Sequence, residues 1–214
     1  MPIQPFDGQT FVAFIDISGF KLMMNNNETA IRALQQFYQA GYDTLNTGNA
    51  IEGFFISDCG ILFCRSGQAE EQLEFMLAAV KTINRRMLTH EIILTTAIAY
   101  GHFNYTDRAE FDGIEKNAIY GEAYLNAYLD NANGKPKLRA GQCRLLLSQF
   151  PPQLADQLRN YPLLVRKGRN YLQYYWNVDE AREIADFENR YNDSYNQRFA
   201  GMLKALKGIG GNHG

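Results

Sequence analysis

Asp16 closes the apolar run Phe11-Val12-Ala13-Phe14-Ile15 and is followed by Ile17-Ser18-Gly19-Phe20. An unpaired carboxylate at the end of a buried strand is costly, so Asp16 needs a compensating group, and a bound cation is one candidate. Asp58 sits in Ser57-Asp58-Cys59-Gly60 between two apolar runs, which is the composition of a β-hairpin turn. Neighbouring strands lie about 4.8 Å apart, so these carboxylates converge if their strands adjoin. Two close carboxylates repel unless a proton or a cation lies between them. Magnesium takes one or two carboxylates together with water and phosphate oxygens. The glycine-containing turn after Asp16 offers backbone N–H groups to anionic oxygens. The pattern fits a metal and triphosphate site. It also fits a turn aspartate at 58 and a capping aspartate at 16, and the spacing alone leaves both open.

The chain has 214 residues, 46% of them hydrophobic, enough for one large domain with a core. A net charge of -2 gives no general drive toward nucleic acid or anionic membranes. Three cysteines, Cys59, Cys64 and Cys143, lack metal-site spacing and read as free thiols in a reducing compartment. Three scattered histidines argue against a histidine zinc site. No apolar stretch approaches the roughly 20 residues that span a bilayer, and "MPIQPFDGQT" lacks signal-peptide features. The expectation is a cytoplasmic protein without nucleic-acid or membrane partners.

Several elements must hold these residues. Residues 10–17 read as a buried strand. A helix capped at Asn27 follows, with Ile31, Leu34, Phe37, Tyr38, Tyr42 and Leu45 on one face. Residues 51–64 read as a hairpin with Asp58 near its tip. Residues 70–88 form an amphipathic helix, with Leu73, Met76, Leu77, Val80, Ile83 and Met87 aligned. A strand ends near Gly101, "HFNYTDRAEFDG" is a polar connection, and a helix follows Gly121. "GQCRLLLSQF" is a strand, Pro151-Pro152 open a short helix, and residues 163–176 form a hairpin turning at Lys167-Gly168. From residue 179 the chain reads as helical. The order predicts an α+β fold with helices on one face of a mixed sheet.

The same segments carry a family likeness. "FIDISGF" resembles the first metal-binding strand and loop of class III nucleotide cyclase catalytic domains, and "GFFISDCGILF" resembles their second metal hairpin. "TTAIAYG", "IYGEAYLNAYLD" and "VRKGRNYLQYYW" resemble, in order, the next core strand, the following helix and the C-terminal hairpin. The resemblance covers residues 10–176. It implies a ferredoxin-like βαββαβ core in a catalytic domain of residues 1–178, with residues 179–214 as a helical extension. It implies two Mg2+ or Mn2+ ions per site, held by Asp16, Asp58 and the Ile17 carbonyl. It implies a triphosphate cradled by the backbone of Ser18, Gly19 and Phe20, with Arg169, or Lys167 as the near alternative, neutralising its charge. It further implies a head-to-tail homodimer, with the two aspartates from one subunit and Arg169 from the other.

The departures from the family are equally specific. Its purine readers would stand at Phe54 and Ala118, and its transition-state asparagine and arginine at Leu125 and Leu129. Asn126, one residue from Leu125, is the catalytic candidate to substitute for that asparagine. The pattern resembles the cyclases of bacterial Pycsar antiphage systems, which make cyclic UMP or cyclic CMP. That likeness implies a pyrimidine nucleoside triphosphate as substrate, UTP ahead of CTP, and a downstream effector that binds the cyclic product. The alternatives are a purine cyclase with other base readers and a degenerate module that only binds nucleotide or dimerises. Plainer roles stand beside these: Phe54 as core, Tyr120, Tyr124 and Tyr128 as packing, and Glu122, Asn126 and Asp130 as a solvated helix face. Arg85-Arg86 would complement a helix dipole, and Arg166, Lys167 and Arg169 would form an ordinary charged turn.

Overall fold

The structure is a computed structural model that describes residues 3–47, 50–111, 114–195 and 206. Strand β1 (Phe6–Ile17) leads through a short helix α1 (Phe20–Met23) into α2 (Asn27–Leu45). The hairpin β2 (Ile51–Ile56) and β3 (Cys59–Cys64) follows, then α3 (Ala69–Thr89), β4 (Leu94–Phe111), β5 (Ile114–Tyr120) and α4 (Glu122–Asn133). The chain continues with β6 (Cys143–Leu146), α5 (Pro152–Ala155), β7 (Leu164–Arg166), β8 (Tyr171–Tyr174) and α6 (Ile184–Tyr195). The strands form one mixed sheet in the order β2-β3-β1-β4-β6-β8-β7, with β5 paired to β4. The first four strands of that order have the split βαβ arrangement expected for a ferredoxin-like core. No described helix is long and apolar enough to cross a membrane.

Strand alternation divides the core in two. Phe11, Ala13, Ile15 and Ile17 face α3, whose Leu73, Met76, Val80 and Ile83 pack in the same cluster. Val12 and Phe14 face the other way, with Ala123 and Ala127 of α4. The helices are therefore not all on one face as expected: α2 and α3 cover one side of the sheet and α4 covers the other. Alanines on the inner side of α4 let it approach closely, and that approach requires Gly101. A Cβ at this position, where φ is +153°, would lie 3.3 Å from the Ala123 nitrogen. Helix α6 buries Ile184, Phe187 and Tyr191 in the α3-side core. The glycine-rich C-terminal end lies outside the described residues.

Other expectations shift in detail. The cap of α2 is Asn26 rather than Asn27, its side chain accepting from the Thr29 N–H at 3.0 Å. The buried face of α2 is Ala30, Ala33, Phe37, Ala40 and Gly41, while Ile31, Tyr38 and Tyr42 are exposed. Small residues seat the helix, so the larger apolar side chains beside them are turned outward. The polar stretch after Gly101 is not a connection: β4 runs on to Phe111 and pairs with β5 from Asn104↔Tyr120 to Phe111↔Ile114. Polar side chains there hid a strand whose backbone is satisfied by its partner. Arg85 and Arg86 bind Asp179 and Asp43, at 2.9 and 2.5 Å, and so tie α3 to its neighbours.

The buried ion pair between Asp130 of α4 and Arg144 of β6 is the firmest polar tie across the α4 side. Its 2.8 Å contact joins side chains only 12% and 4% exposed. Arg144 also donates to the Pro136 carbonyl at 2.8 Å and stacks over Tyr171. Asp130 thus departs from the solvated helix face expected of it. Asp130→Ala would leave a buried guanidinium with one weaker acceptor, and we expect a loss of about 3–5 kcal/mol in urea unfolding. A change under 1 kcal/mol, on the order of a surface pair, would show that the pair is not a structural tie.

Candidate active site

Strand β1 is bonded to β3 on one side and β4 on the other, both antiparallel. This ladder places Asp16 directly opposite Cys59 on β3 and Thr95 on β4. The β2–β3 turn is only Ser57-Asp58, and Ser57 takes a φ of +55° to make it. Two hydrogen bonds hold that turn. The Ile17 N–H donates to the Asp58 carbonyl at 3.0 Å, and the Tyr38 hydroxyl of α2 donates to the Ser57 carbonyl at 3.0 Å. The carboxylates of Asp16 and Asp58 and the Cys59 thiol then each place a ligand atom within 4.8 Å of the other two. These are the expected two carboxylates, brought together, with a thiol read from the sequence only as a free cysteine. Its place directly after Asp58, at the start of the strand that pairs with β1, is what sets it across from Asp16.

The electrostatics of the cluster call for positive charge. Burial, and then the neighbouring Asp58 charge, push the Asp16 carboxyl up to about 6, against the pull of the Cys59 hydrogen bond. Burial, followed by Asp16 and Asp58, pushes the Cys59 thiol up to about 12. No basic side chain offsets them in any described ion pair. A divalent cation fits this donor set of two carboxylates at a strand end.

The loop after Asp16 turns Phe20 into the core and leaves Gly19 open. Ser18 N–H donates to the Ile93 carbonyl at 2.9 Å, extending the ladder by one residue. Gly19 has φ +79° and open space where a Cβ would stand. The N–H groups of Gly19 and Phe20 head α1 and have no acceptor within it. The Phe20 side chain is 4% exposed and belongs to the core, leaving its backbone for any ligand. The Ser18 hydroxyl is buried with no hydrogen-bond partner.

The remaining expected site residues are not gathered here. Phe54 of β2 is half-buried, its ring stacked on Tyr105 at 5.5 Å between centroids. Tyr105 pairs with Ile119, and Thr106 with Ala118. Side chains alternate along β5, so Ala118 faces away from the surface that Phe54 contacts. On α4, Asn126 lies on the flank shared with Asp130, and Leu125 and Leu129 face outward, 51% and 46% exposed. Tyr124 and Tyr128 stack on each other and lean on Phe14, in packing roles, while Tyr120 is exposed.

The basic hairpin is farther still. Thr96 pairs with Cys143, Cys143 with Tyr174 and Tyr174 with Leu164, so these residues lie at the Asp16 end of the sheet. The β7–β8 turn, residues 167–170, leaves the opposite end, three to four strands away. At about 4.8 Å per strand and 3.3 Å per residue, that is on the order of 20 Å from Asp16. Lys167 is engaged there: it binds Glu188 of α6 at 2.6 Å. Burial works against the Glu188 charge, but Lys167 and the Tyr175 hydroxyl prevail and hold its carboxyl below the usual range. Arg166 donates to the Arg169 carbonyl at 3.0 Å. The Arg169 side chain is exposed and, among the described residues, has no hydrogen-bond or ion-pair partner.

No protein-family model matches the sequence, and no curated protein matches it significantly. Solved structures do match in fold. The adenylyl cyclase CyaB from P. aeruginosa aligns over 80% of this chain and 95% of its own, with TM-score 0.55 and 15% identity. The guanylate cyclase domain of RhGC from Catenaria anguillulae, in complex with GTP, aligns over 80% and 96%, with TM-score 0.55 and 11% identity. The guanylyl cyclase domain of the RhoGC fusion protein from Blastocladiella emersonii, a double mutant, aligns over 80% and 95%, with TM-score 0.59 and 10% identity. The fold is that of class III nucleotide cyclase catalytic domains.

The raised Asp16 carboxyl has a consequence for stability. A group whose pKa is higher folded than unfolded holds its proton longer in the native state, so stability falls as pH rises from about 4 through about 6. Asp16→Asn should flatten that decline. At pH 7 and without divalent cations it should raise stability by about 1 kcal/mol or more, after allowance for solvent screening. Thermal unfolding from pH 4 to 8 measures this, and an Asn variant less stable than wild type at pH 7 would contradict the origin assigned to the strain.

Proposed function

We propose that this chain is a nucleotide cyclase that converts a pyrimidine nucleoside triphosphate, UTP ahead of CTP, to a 3′,5′-cyclic nucleotide and pyrophosphate. The observation that carries the reading is the convergence of Asp16 and Asp58 at the end of β1, within a cyclase-like fold and beside a glycine turn. Asp16 and Asp58 would hold two Mg2+ or Mn2+ ions, with the Ile17 carbonyl as a further ligand. Such ions, when bound, acidify the ribose 3′-hydroxyl and neutralise the triphosphate. The N–H groups of Gly19 and Phe20 orient the phosphates. The 3′ oxygen bonds to the α-phosphorus as the bond to pyrophosphate breaks, and Arg169 offsets the charge that develops.

Arg169 reaches that site only from a second copy of the chain, because its own Asp16 is on the order of 20 Å away. Its freedom from ion pairs, beside the engagement of Lys167 with Glu188, favours Arg169 as the phosphate ligand. The exposed Tyr120, Leu125, Tyr128 and Leu129 on and beside α4 supply an apolar surface for a head-to-tail homodimer. Ala118 faces away from the Phe54 contact surface, so on this reading the choice of base would fall mainly on Phe54, which lies outside the carboxylate cluster but on the Asp16 face of the sheet and offers a purine edge no polar partner. An unpaired polar edge in a closed site costs about 1–3 kcal/mol. The likeness to Pycsar cyclases extends the reading to antiphage signalling, with an effector that binds the product.

A second reading, a nucleotide-binding module without turnover, is favoured by Leu125 and Leu129 at the places of polar transition-state groups. One assay separates the two. Incubated with all four nucleoside triphosphates at equal concentration and Mn2+, the protein should release pyrophosphate and yield mainly cyclic UMP or cyclic CMP. Phe54→Ala should raise the purine share. Dominant cyclic AMP or cyclic GMP would reject the pyrimidine choice, and no product from any of the four would favour the binding module.

The shared site is tested by complementation. Asp58→Ala and Arg169→Ala chains should each lose nearly all activity. Mixed under subunit exchange, they should recover roughly a quarter of the wild-type rate, because random pairing makes half of the dimers mixed and each mixed dimer holds one intact site. Absence of rescue, with exchange verified by labelled subunits, would count against the composite site.

A further inference from the structure

The cluster at the end of β1 contains a group that a pure magnesium site does not need. Cys59 stands directly across the ladder from Asp16, so both side chains leave the same face of the sheet. Its sulfur lies 3.5 Å from Asp16 Oδ1. In a tetrahedral zinc site with bonds of about 2.3 Å to sulfur and 2.1 Å to oxygen, sulfur and oxygen ligands are roughly 3.6 Å apart. The Cys59–Asp16 pair already has that span. Asp58 lies within 4.8 Å of both, and a modest rotation of its half-buried turn side chain closes the triangle. The Ser18 hydroxyl continues the ladder on the Asp16 face two residues on, and it is buried without a partner. Cys64 and Cys143, by contrast, are both fully buried in the α3-side core.

We propose that Asp16, Asp58 and Cys59 form a site for one thiophilic divalent cation of the zinc and cadmium class, with the Cys59 thiolate as its third protein ligand. The inference rests on the cyclase reading only for its functional consequence. Thiolate ligands favour soft ions over magnesium. The thiol proton passes to solvent as the metal–sulfur bond forms. A zinc ion so held would engage both metal-binding carboxylates, with its fourth tetrahedral position left to water. It would displace the looser, oxygen-rich coordination that a triphosphate and its magnesium require, so zinc inhibits turnover. Cys59 is thereby a determinant of metal choice.

The test uses the full chain, freed of metal, and Cd2+ as the probe. Titration should give one equivalent of tight binding by calorimetry and an ultraviolet sulfur-to-cadmium charge-transfer band that saturates at the same point. Cys59→Ser should abolish the band and weaken Cd2+ binding by more than the roughly 10–100-fold that loss of an outer-shell partner causes. Asp58→Asn, which keeps the thiol, should retain a band but weaken binding by a similar factor. A band that survives in Cys59→Ser, or no band on stoichiometric addition of Cd2+ to wild type, would overturn the proposal. Neither readout depends on catalysis, so a failure to make any cyclic nucleotide would count against the cyclase reading and leave the metal assignment standing. Should cyclisation be observed, equimolar Zn2+ should inhibit wild type and inhibit Cys59→Ser at least tenfold less strongly.

Discussion

Strand β1 is paired with β4 along its whole length and with β3 over Val12–Asp16, and this double ladder in its second half governs what happens at its end. A strand paired on both sides cannot slip without moving every side chain to the wrong face. With Val12 and Phe14 in one core and Phe11, Ala13 and Ile15 in the other, each face penalises a shift. Asp16 is therefore delivered to one place. The Ser57-Asp58 turn is delivered to the same place by the β3 ladder and then locked by Ile17 and Tyr38. Two carboxylates are held together at the strand end by apolar packing that is indifferent to their repulsion.

The repulsion is stored rather than relieved. Asp16 is pushed up toward neutrality by burial and then by the Asp58 charge, and the fold tolerates this because its two cores outweigh one strained carboxyl. Burial and like charge disfavour the apo state, and a dication reverses both effects at once. On the proposed reading, the same local facts that weaken the empty protein would favour a bound metal, and perturbed titration and function would coincide at one site.

Most of this was legible in the sequence, for identifiable reasons. The run from Phe11 to Asp16, the Ser57-Asp58 turn, the α3 stripe and the Lys167-Gly168 hairpin each have a strong local period or turn signal. The β4–β5 arm was not legible because its strands carry polar and charged residues. Their backbones pair with each other, and those charges interrupt the alternation of apolar and polar residues that would mark a strand. The α2 face was misread because Ile31, Tyr38 and Tyr42 also fall at helical spacing. The sequence contains two possible stripes on that helix, and the smaller one, Ala30, Ala33, Phe37 and Ala40, is the one that fits against the sheet. Cys59 was overlooked because its apolar neighbours suggested burial, whereas strand pairing decides that it faces Asp16.

The separation of charge across the sheet is the remaining step. The acidic pair leaves one end of β1, and the free arginine leaves the opposite end of the sheet from the β7–β8 turn. Neither the hairpin nor α6 can bring them together within a chain, since Lys167 is tied to Glu188 and β8 is fixed to β6. On the proposed reading, a monomer would present two half-sites, with the metal-binding carboxylates at one end and the arginine at the other. Two copies arranged head to tail would then join both halves by symmetry, with the exposed Leu125, Tyr128 and Leu129 of α4 as apolar surface for such a pair to cover. On the cyclase reading, assembly and catalysis are then one event. Whatever loosens the dimer removes the arginine from the phosphates before it disturbs any metal ligand.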